Sequence, residues 1–204
     1  MRIDRVVLRA VLSTLAAIFV LFSFMLLALC FIYPSTMMNV TYDLGMDNAS
    51  VKYAMRAYNR TEEIYYVAFA TETAIGADND EKIEACGLSF VADEEFPLYC
   101  ETRDMQLPEN VNGSYGQYVY GQVCLAQYRQ DKKTDAVNTA ILALSQGTGY
   151  VFPENNAFVA LALTVLMQKD TDMVAQLKEK MAIVGENLME EDRAYFDTLY
   201  QMLG

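Results

Sequence analysis

The chain reads as an all-α protein: a single transmembrane helix at the N-terminus, followed by an external domain built only from helices. Three observations predict this. Ala10 to Tyr33 is an apolar run without a charge, with Arg2, Arg5 and Arg9 in front of it and Pro34 behind it. After Pro34, apolar residues recur every three or four positions between regularly spaced capping and turn residues. No stretch shows the sustained apolar and polar alternation, bounded by hairpin turns, that strands require.

The first run is long enough, at about 1.5 Å per residue, for a hydrocarbon core of roughly 30 Å. A buried core helix of that length would normally keep a polar face, and this one has none. The arginines precede it, so the N-terminus is expected in the cytoplasm and everything after Pro34 outside. Two other fates compete. A cleaved signal peptide has an apolar core of about 7–15 residues and a small-residue cleavage site. Tyr33-Pro34-Ser35-Thr36-Met37 offers no such site. Lipidation at Cys30 wants a small residue before the cysteine, where Leu29 stands. The expected layout is a cytoplasmic basic tail at 1–9, a transmembrane helix at 10–33, a linker at 34–47 and an external α-helical domain at 48–204. This makes a single-pass cell-membrane protein.

The external helices follow from their punctuation. The polar stretch Asn39 to Asp47, with Gly45, reads as linker. Asn48 or Ser50 caps a first helix to Tyr58, and Asn59-Arg60-Thr61 turns the chain. A second runs from Thr61-Glu62-Glu63-Ile64 to Ile75 and stops at Gly76. Asp78, Asn79 or Asp80 opens a third, to Ala92. Asp93 caps a fourth, with Pro97 tolerated in its first turn. Leu107 to Gly113 is a loop. Ser114 caps a fifth helix to Gln130, and Asp131-Lys132-Lys133 leads into a sixth, Thr134 to Ser145. Gly147 to Pro153 is a second loop. Asn155 or Asn156 opens a seventh helix to Gln168. Asp170-Thr171-Asp172 caps an eighth, to Val184 with Gly185 closing it, and Asn187 caps a ninth that runs to the terminus.

Apolar stripes mark the buried faces. Ala157, Leu161, Thr164, Val165 and Gln168 run down one side of the seventh helix, with Phe158, Ala162 and Val165 continuing the stripe, and Met173, Leu177, Met181 and Val184 run down the eighth. Tyr195, Leu199, Met202 and Leu203 do so on the ninth. The sixth and seventh are apolar over most of their circumference and are expected in the middle of the packing. The ninth carries Glu190, Glu191, Asp192, Arg193 and Asp197 on its other side, as an end cap would.

Helix pairs begin near Asn48, Asn79, Ser114, Asn155 and Asn187, a spacing on the order of 30–40 residues. In the third pair Tyr120, Val123 and Cys124 are followed by Ala136, Ala140, Ala143 and Leu144, small and aliphatic residues where adjoining helices pack closely. With these features the region from Asn48 to Gly204 resembles a degenerate tetratricopeptide-like array of antiparallel helical hairpins, four pairs with a C-terminal capping helix. No pair keeps the full W-x2-L-G-x2-Y pattern. The resemblance implies a hairpin stack with a concave binding surface. An irregular bundle of the same helices is the other architecture this pattern allows.

Composition narrows the function. Net charge is −12, and nucleic-acid binding needs clustered Lys and Arg, so nucleic acid is not expected as a partner. The same acidity argues against lying on anionic lipid. The chain has no His, which removes Ser-His-Asp and Cys-His nucleophiles and His-ligated zinc. No Walker A, G-x-S-x-G or G-x-G-x-x-G occurs. Asp78-Asn79-Asp80-Glu81-Lys82 begins like a calcium loop but puts Lys82 where an oxygen ligand belongs. Glu94-Glu95 and Glu190-Glu191-Asp192 read as helix-dipole complements. No catalytic, cofactor-binding or metal-binding residue is assigned, and no cofactor is expected.

Cys86, Cys100 and Cys124 lie outside the membrane without C-x-x-C spacing. They are buried hydrophobes, or Cys86 and Cys100 pair across adjacent helices. Tyr53, Tyr58, Tyr65 and Tyr66 form one tyrosine cluster, and Tyr115, Tyr118, Tyr120 and Tyr128 another. Both suit either core filling or a peptide groove. The sequons at Asn39, Asn48, Asn59 and Asn112 coincide largely with expected caps and turns.

The expected function is a membrane-anchored, non-catalytic interaction or scaffold module whose acidic domain meets a protein or peptide of basic surface. Two alternatives stand beside it. One is a small subunit of a membrane complex, with Ala10, Ser13, Ala16, Ala17 and Ser23 allowing helix contact. The other is an envelope hydrolase using paired carboxylates.

Overall fold

The computed structural model describes residues 5–106, 114–145 and 157–185, with 193, 197, 198 and 200–204 near the C-terminus. Every regular element among them is helical. In chain order these are α1 (Arg5–Ile32), α2 (Pro34–Asp43), α3 (Asp47–Thr61), α4 (Ile64–Gly76), α5 (Asp80–Val91), α6 (Phe96–Asp104), α7 (Tyr115–Arg129), α8 (Lys133–Ser145), α9 (Ala157–Met167) and α10 (Thr171–Gly185). The loops expected at 107–113 and 147–153, and most of the expected C-terminal capping helix, lie outside the described residues.

Val7–Ile32 is long and apolar enough to cross a membrane. The other described residues do not cover it: Phe19 and Leu21 are 71% and 70% exposed. Side chains of this size gain roughly 1.5–3 kcal/mol each on leaving water, so a run of them needs an apolar surrounding.

The stretch 34–47, expected as a linker, contains α2. Pro34 starts that helix at a position where a missing N–H is harmless. Met38 is buried with Val51 and Ala54 of α3. Thr41, polar in the sequence, is also buried, because its hydroxyl donates back to the Met37 carbonyl at 2.7 Å. Its apolar stripe is too short to register as a helix.

The start of α3 also departs from expectation. Met46, not Asn48 or Ser50, holds the N-cap position, and no side chain caps it. The expected caps are used elsewhere. The Asn48 side chain accepts from Asn79 and Lys82, and Ser50 donates to the Met38 carbonyl at 3.0 Å. Further along, Ser114 and Asn79 cap α7 and α5 as expected.

One turn recurs four times. Gly45, Asp78, Asp131 and Lys169 all have positive φ, at 68°, 49°, 61° and 56°. At each, the following N–H bonds back five residues: Met46 to Thr41, Asn79 to Ala74, Lys132 to Gln127 and Asp170 to Val165. This is the Schellman closure of a helix. It joins α2 to α3, α4 to α5, α7 to α8 and α9 to α10. In the first half the helices that share such a closure therefore start at Pro34 and Ile64, whereas the spacing predicts pairs starting at Asn48 and Asn79. The two helices expected as the first pair are α3 and α4, and α3 shares its closure with α2 instead; α6 stands outside the series, stacked through Phe96 and Tyr99 on Phe90 of α5 and packed on α7.

The core is serial. One cluster joins α2 to α5 around Met38, Val51, Ala74 and Ile83. A second, around Val67, Phe90, Phe96, Val119 and Tyr120, spans α4 to α9. A third unites α7 to α10 around Val137, Ala140, Phe158, Leu161, Met173 and Leu177, and Leu203 closes onto it. Tyr120, Val123, Cys124, Ala136, Ala140 and Ala143 are all buried, as the third pair requires. α9 is less central than its composition implies: Leu163, Leu166 and Met167 stay exposed.

Cys86, Cys100 and Cys124 are free thiols. Each belongs to a different cluster, which separates Cys86 from Cys100. Burial pushes their pKa up, to about 11 for Cys86 and about 12 for Cys100 and Cys124, so they stay protonated and inert at neutral pH.

Tyr58 of α3 donates to Oδ2 of Asp93, before α6, at 2.7 Å. That bond, and then burial, push its phenol from 10.0 to about 12. A phenol whose folded pKa is raised adds stability that is complete below its unfolded pKa and disappears as pH rises through the folded one. Comparison of the full chain with Tyr58→Phe by urea unfolding should show a deficit of about 1–2 kcal/mol at pH 8. The deficit should shrink between pH 10 and 12. A deficit constant across that window would show that the bond does not hold the phenol's proton.

Candidate functional site

The outward stripe of α4 is Tyr65, Phe69, Glu72 and Gly76, one residue per turn. α4 is otherwise apolar and buried on its other faces, with Val67, Ala68, Ala70, Thr71 and Ala74 inside. Beside the stripe lies a cleft of about 300 Å³ lined by Tyr42, Asp47, Phe69, Glu72, Thr73 and Gly76. Tyr42 reaches it from the end of α2, and Asp47 from the first turn of α3. The first recurrent turn, at Gly45, brings those two residues to the same wall.

The cleft has an aromatic side and an acidic side. Tyr42 meets Phe69 edge-on, with ring centroids 5.2 Å apart, and Tyr65 stands 6.4 Å from Phe69. Tyr42 and Tyr65 are about half exposed, at 51% and 53%. Glu72 anchors the other side. Its Oε1 accepts from Nη2 of Arg103 and from the Tyr115 hydroxyl, each at 2.6 Å. Arg103 also lies 5.4 Å from the Tyr115 ring centroid, and the Tyr99 ring is 6.1 Å from that of Tyr115.

This network fixes protonation. Burial first, and then the bond to Glu72, push the Tyr115 phenol well above its ordinary value. Burial and the nearby Glu72 push Tyr99 up as well. The bond to Glu72 raises Arg103 further. All three are therefore constant donors or cations at physiological pH. The Arg103–Glu72 pair is some 40% exposed on both sides, at 42% and 38%, so it orients more than it stabilises, at about 0–1 kcal/mol.

Both of these hydrogen bonds fall on Oε1 of Glu72. The lining offers two kinds of contact, the carboxyl groups of Glu72 and Asp47 and the rings of Tyr42 and Phe69.

The residues singled out from the sequence are only partly gathered here. Tyr65 and Tyr115, from different tyrosine clusters, flank the cleft, Tyr65 against Phe69 and Tyr115 bonded to Glu72. Tyr120 is core, and Tyr53 faces α1. Asp78 is a turn residue, Asn79 a cap, Asp80 the partner of Arg129 and Lys82 a donor to Asn48. Glu94 and Glu95 are exposed between α5 and α6, and Glu190 to Asp192 lie outside the described residues. Sequence reading missed Tyr42, Phe69, Glu72 and Arg103. The available signal was Glu72, the one acid inside α4. Among the described residues, no three His, Cys, Asp or Glu side chains converge as a metal site would need.

Comparison with protein-family models, with curated proteins and with solved structures gives no match to this chain.

Proposed function

We propose that this chain is a membrane-anchored, non-catalytic interaction module that presents a stack of helical hairpins outside the membrane. It binds a protein or peptide segment carrying a basic side chain. The observation that carries this reading is the cleft on α4, aromatic on one side and acidic on the other, on a chain of net charge −12. The four identical helix closures and the serial core support a tetratricopeptide-like array, in which each pair leans mainly on its neighbours. Arg9 in the first turns of the apolar helix, with Arg2 and Arg5 before Val7, supports a cytoplasmic N-terminus. Anchoring confines the domain to the surface and raises the local concentration of whatever it meets there.

Co-purification of the full chain from detergent tests this. A partner should be recovered at low ionic strength and be lost progressively as salt rises, because exposed charges are screened beyond about 8 Å at physiological salt. Phe69→Ala combined with Glu72→Gln should reduce recovery about tenfold or more, as expected when a central anchor is removed. External protease on the same cells should leave a small N-terminal fragment in the membrane. Undiminished recovery by the double variant would remove the cleft from recognition. Recovery through α1 alone would favour a subunit of a membrane complex. Hydrolysis abolished by changing Asp47 or Glu72, with no partner found, would favour an enzyme.

A further inference from the structure

We infer that α3 lies in the headgroup layer of the leaflet from which α1 emerges, and that Arg56 and Arg60 there bind the phosphates of anionic phospholipids. This rests on the reading of α1 as a membrane span. Three contacts supply the geometry. The Tyr53 hydroxyl donates to Sγ of Cys30 at 3.0 Å. The Arg56 guanidinium stands 5.3 Å from the Phe31 ring centroid and 5.7 Å from that of Tyr53. Nη1 of Arg60 donates to the backbone carbonyls of Ile32 at 2.9 Å and Phe31 at 3.4 Å. From Tyr53 to Arg60 the contacts extend about 10 Å along the axis of α3, yet their partners on α1 lie within about 3 Å of one another. Side chains from three turns of α3 thus reach the last turn of α1, which seats α3 at the level where α1 leaves the membrane.

The charge on this face suits the headgroups. Lys52, Arg56 and Arg60 recur every four residues and so share one side of α3. The ion pairs among the described residues use Arg103, Arg129, Lys132 and Lys133. Among the described residues no carboxylate is paired with Lys52, Arg56 or Arg60. Glu62 and Glu63 follow Arg60 in the turn and mark where the basic stripe ends. Arg60 gives the α1 carbonyls only Nη1, so the other arm of its guanidinium remains for a phosphate, a fit that a planar fork makes well. Phe31 and Tyr33, 66% and 57% exposed at the same level, are the aromatic residues expected where a span leaves the hydrocarbon. The acidity of the whole chain opposes contact with anionic lipid, but within a Debye length it is the local charge that acts.

The test uses the full chain in detergent. Native mass spectrometry should show phosphatidylglycerol retained in preference to phosphatidylcholine, and phosphatidylglycerol should raise the thermal midpoint where water-soluble glycerol phosphate does not. Arg56→Gln with Arg60→Gln should lower phosphatidylglycerol retention by about fivefold for each arginine removed. Lys132→Gln, remote from α1, should leave it unchanged, and the charge-keeping Arg56→Lys with Arg60→Lys should recover part of it. Equal retention of both lipids by the unaltered chain would overturn the inference, whatever the folding of the variants. An equal shift by glycerol phosphate would show a free-phosphate site instead. Alkaline extraction separates the two readings. A chain that leaves the membrane refutes the span itself, whereas one that stays but shows no lipid preference refutes only the phosphate site.

Discussion

Leu161→Ala is expected to destabilise the full chain by about 2–5 kcal/mol, read as a lower urea midpoint with an unchanged slope. Leu161 has no exposed surface and sits in the third core cluster with Phe158, Ala140, Met173 and Leu177. Those neighbours come from α8, α9 and α10, which the recurrent turns hold in place. Truncation there opens a cavity that the surrounding backbone can close only in part. Leu163→Ala is the control on the same helix: Leu163 is 45% exposed, and its truncation should change stability by no more than about 0.5 kcal/mol. Equal effects at the two positions would mean that α9 is not seated on α8 and α10 as described.

Gly87→Ala is expected to destabilise as well, although alanine is the better helix former by about 1 kcal/mol. A Cβ built on Gly87 of α5 falls 2.3 Å from Cγ2 of Val123 on α7. Val123 is fully buried, so either its side chain leaves its rotamer or α5 and α7 separate, at an overpacking cost of about 1–3 kcal/mol. Gly87→Leu should exceed that. The mechanism predicts a change of sign. In a Val123→Ala background the obstructing methyl is gone, and Gly87→Ala should become neutral or stabilising by up to about 1 kcal/mol. Thermal unfolding of the four chains measures it. A Gly87→Ala penalty that persists beside Val123→Ala would show that close approach of the two helices is not why glycine stands there.

Most helices were legible because their signals are local. Ser114, Asn79 and Pro97 announce helix starts from within a single turn, and the stripe Met173, Leu177 and Met181 needs only period 3.6 to reveal its buried face. α2 was not legible, since its burial depends on Thr41 hiding its hydroxyl against its own backbone and on Met38 finding α3. Three of the four helix closures were hidden for a related reason. Gly45 advertises positive φ, but Asp78, Asp131 and Lys169 adopt it against their intrinsic preference, held there by the next helix. Without them the pairing frame of the first half is displaced by one helix.

The candidate cleft was legible only in fragments. Tyr65 and Tyr115 stood out as members of tyrosine clusters, but Glu72 lies 31 residues from Arg103 and 43 from Tyr115, and no spacing rule links them. By itself the sequence determined the apolar span, the all-α class and the greater part of the helix boundaries, because capping, periodicity and hydrophobic length act within a few residues. Tertiary structure alone decided which helices share a closure, which acids line the cleft and which side chains of α3 meet the end of α1. Those outcomes depend on contacts between residues far apart in the chain, whose energies exist only once the helices have packed.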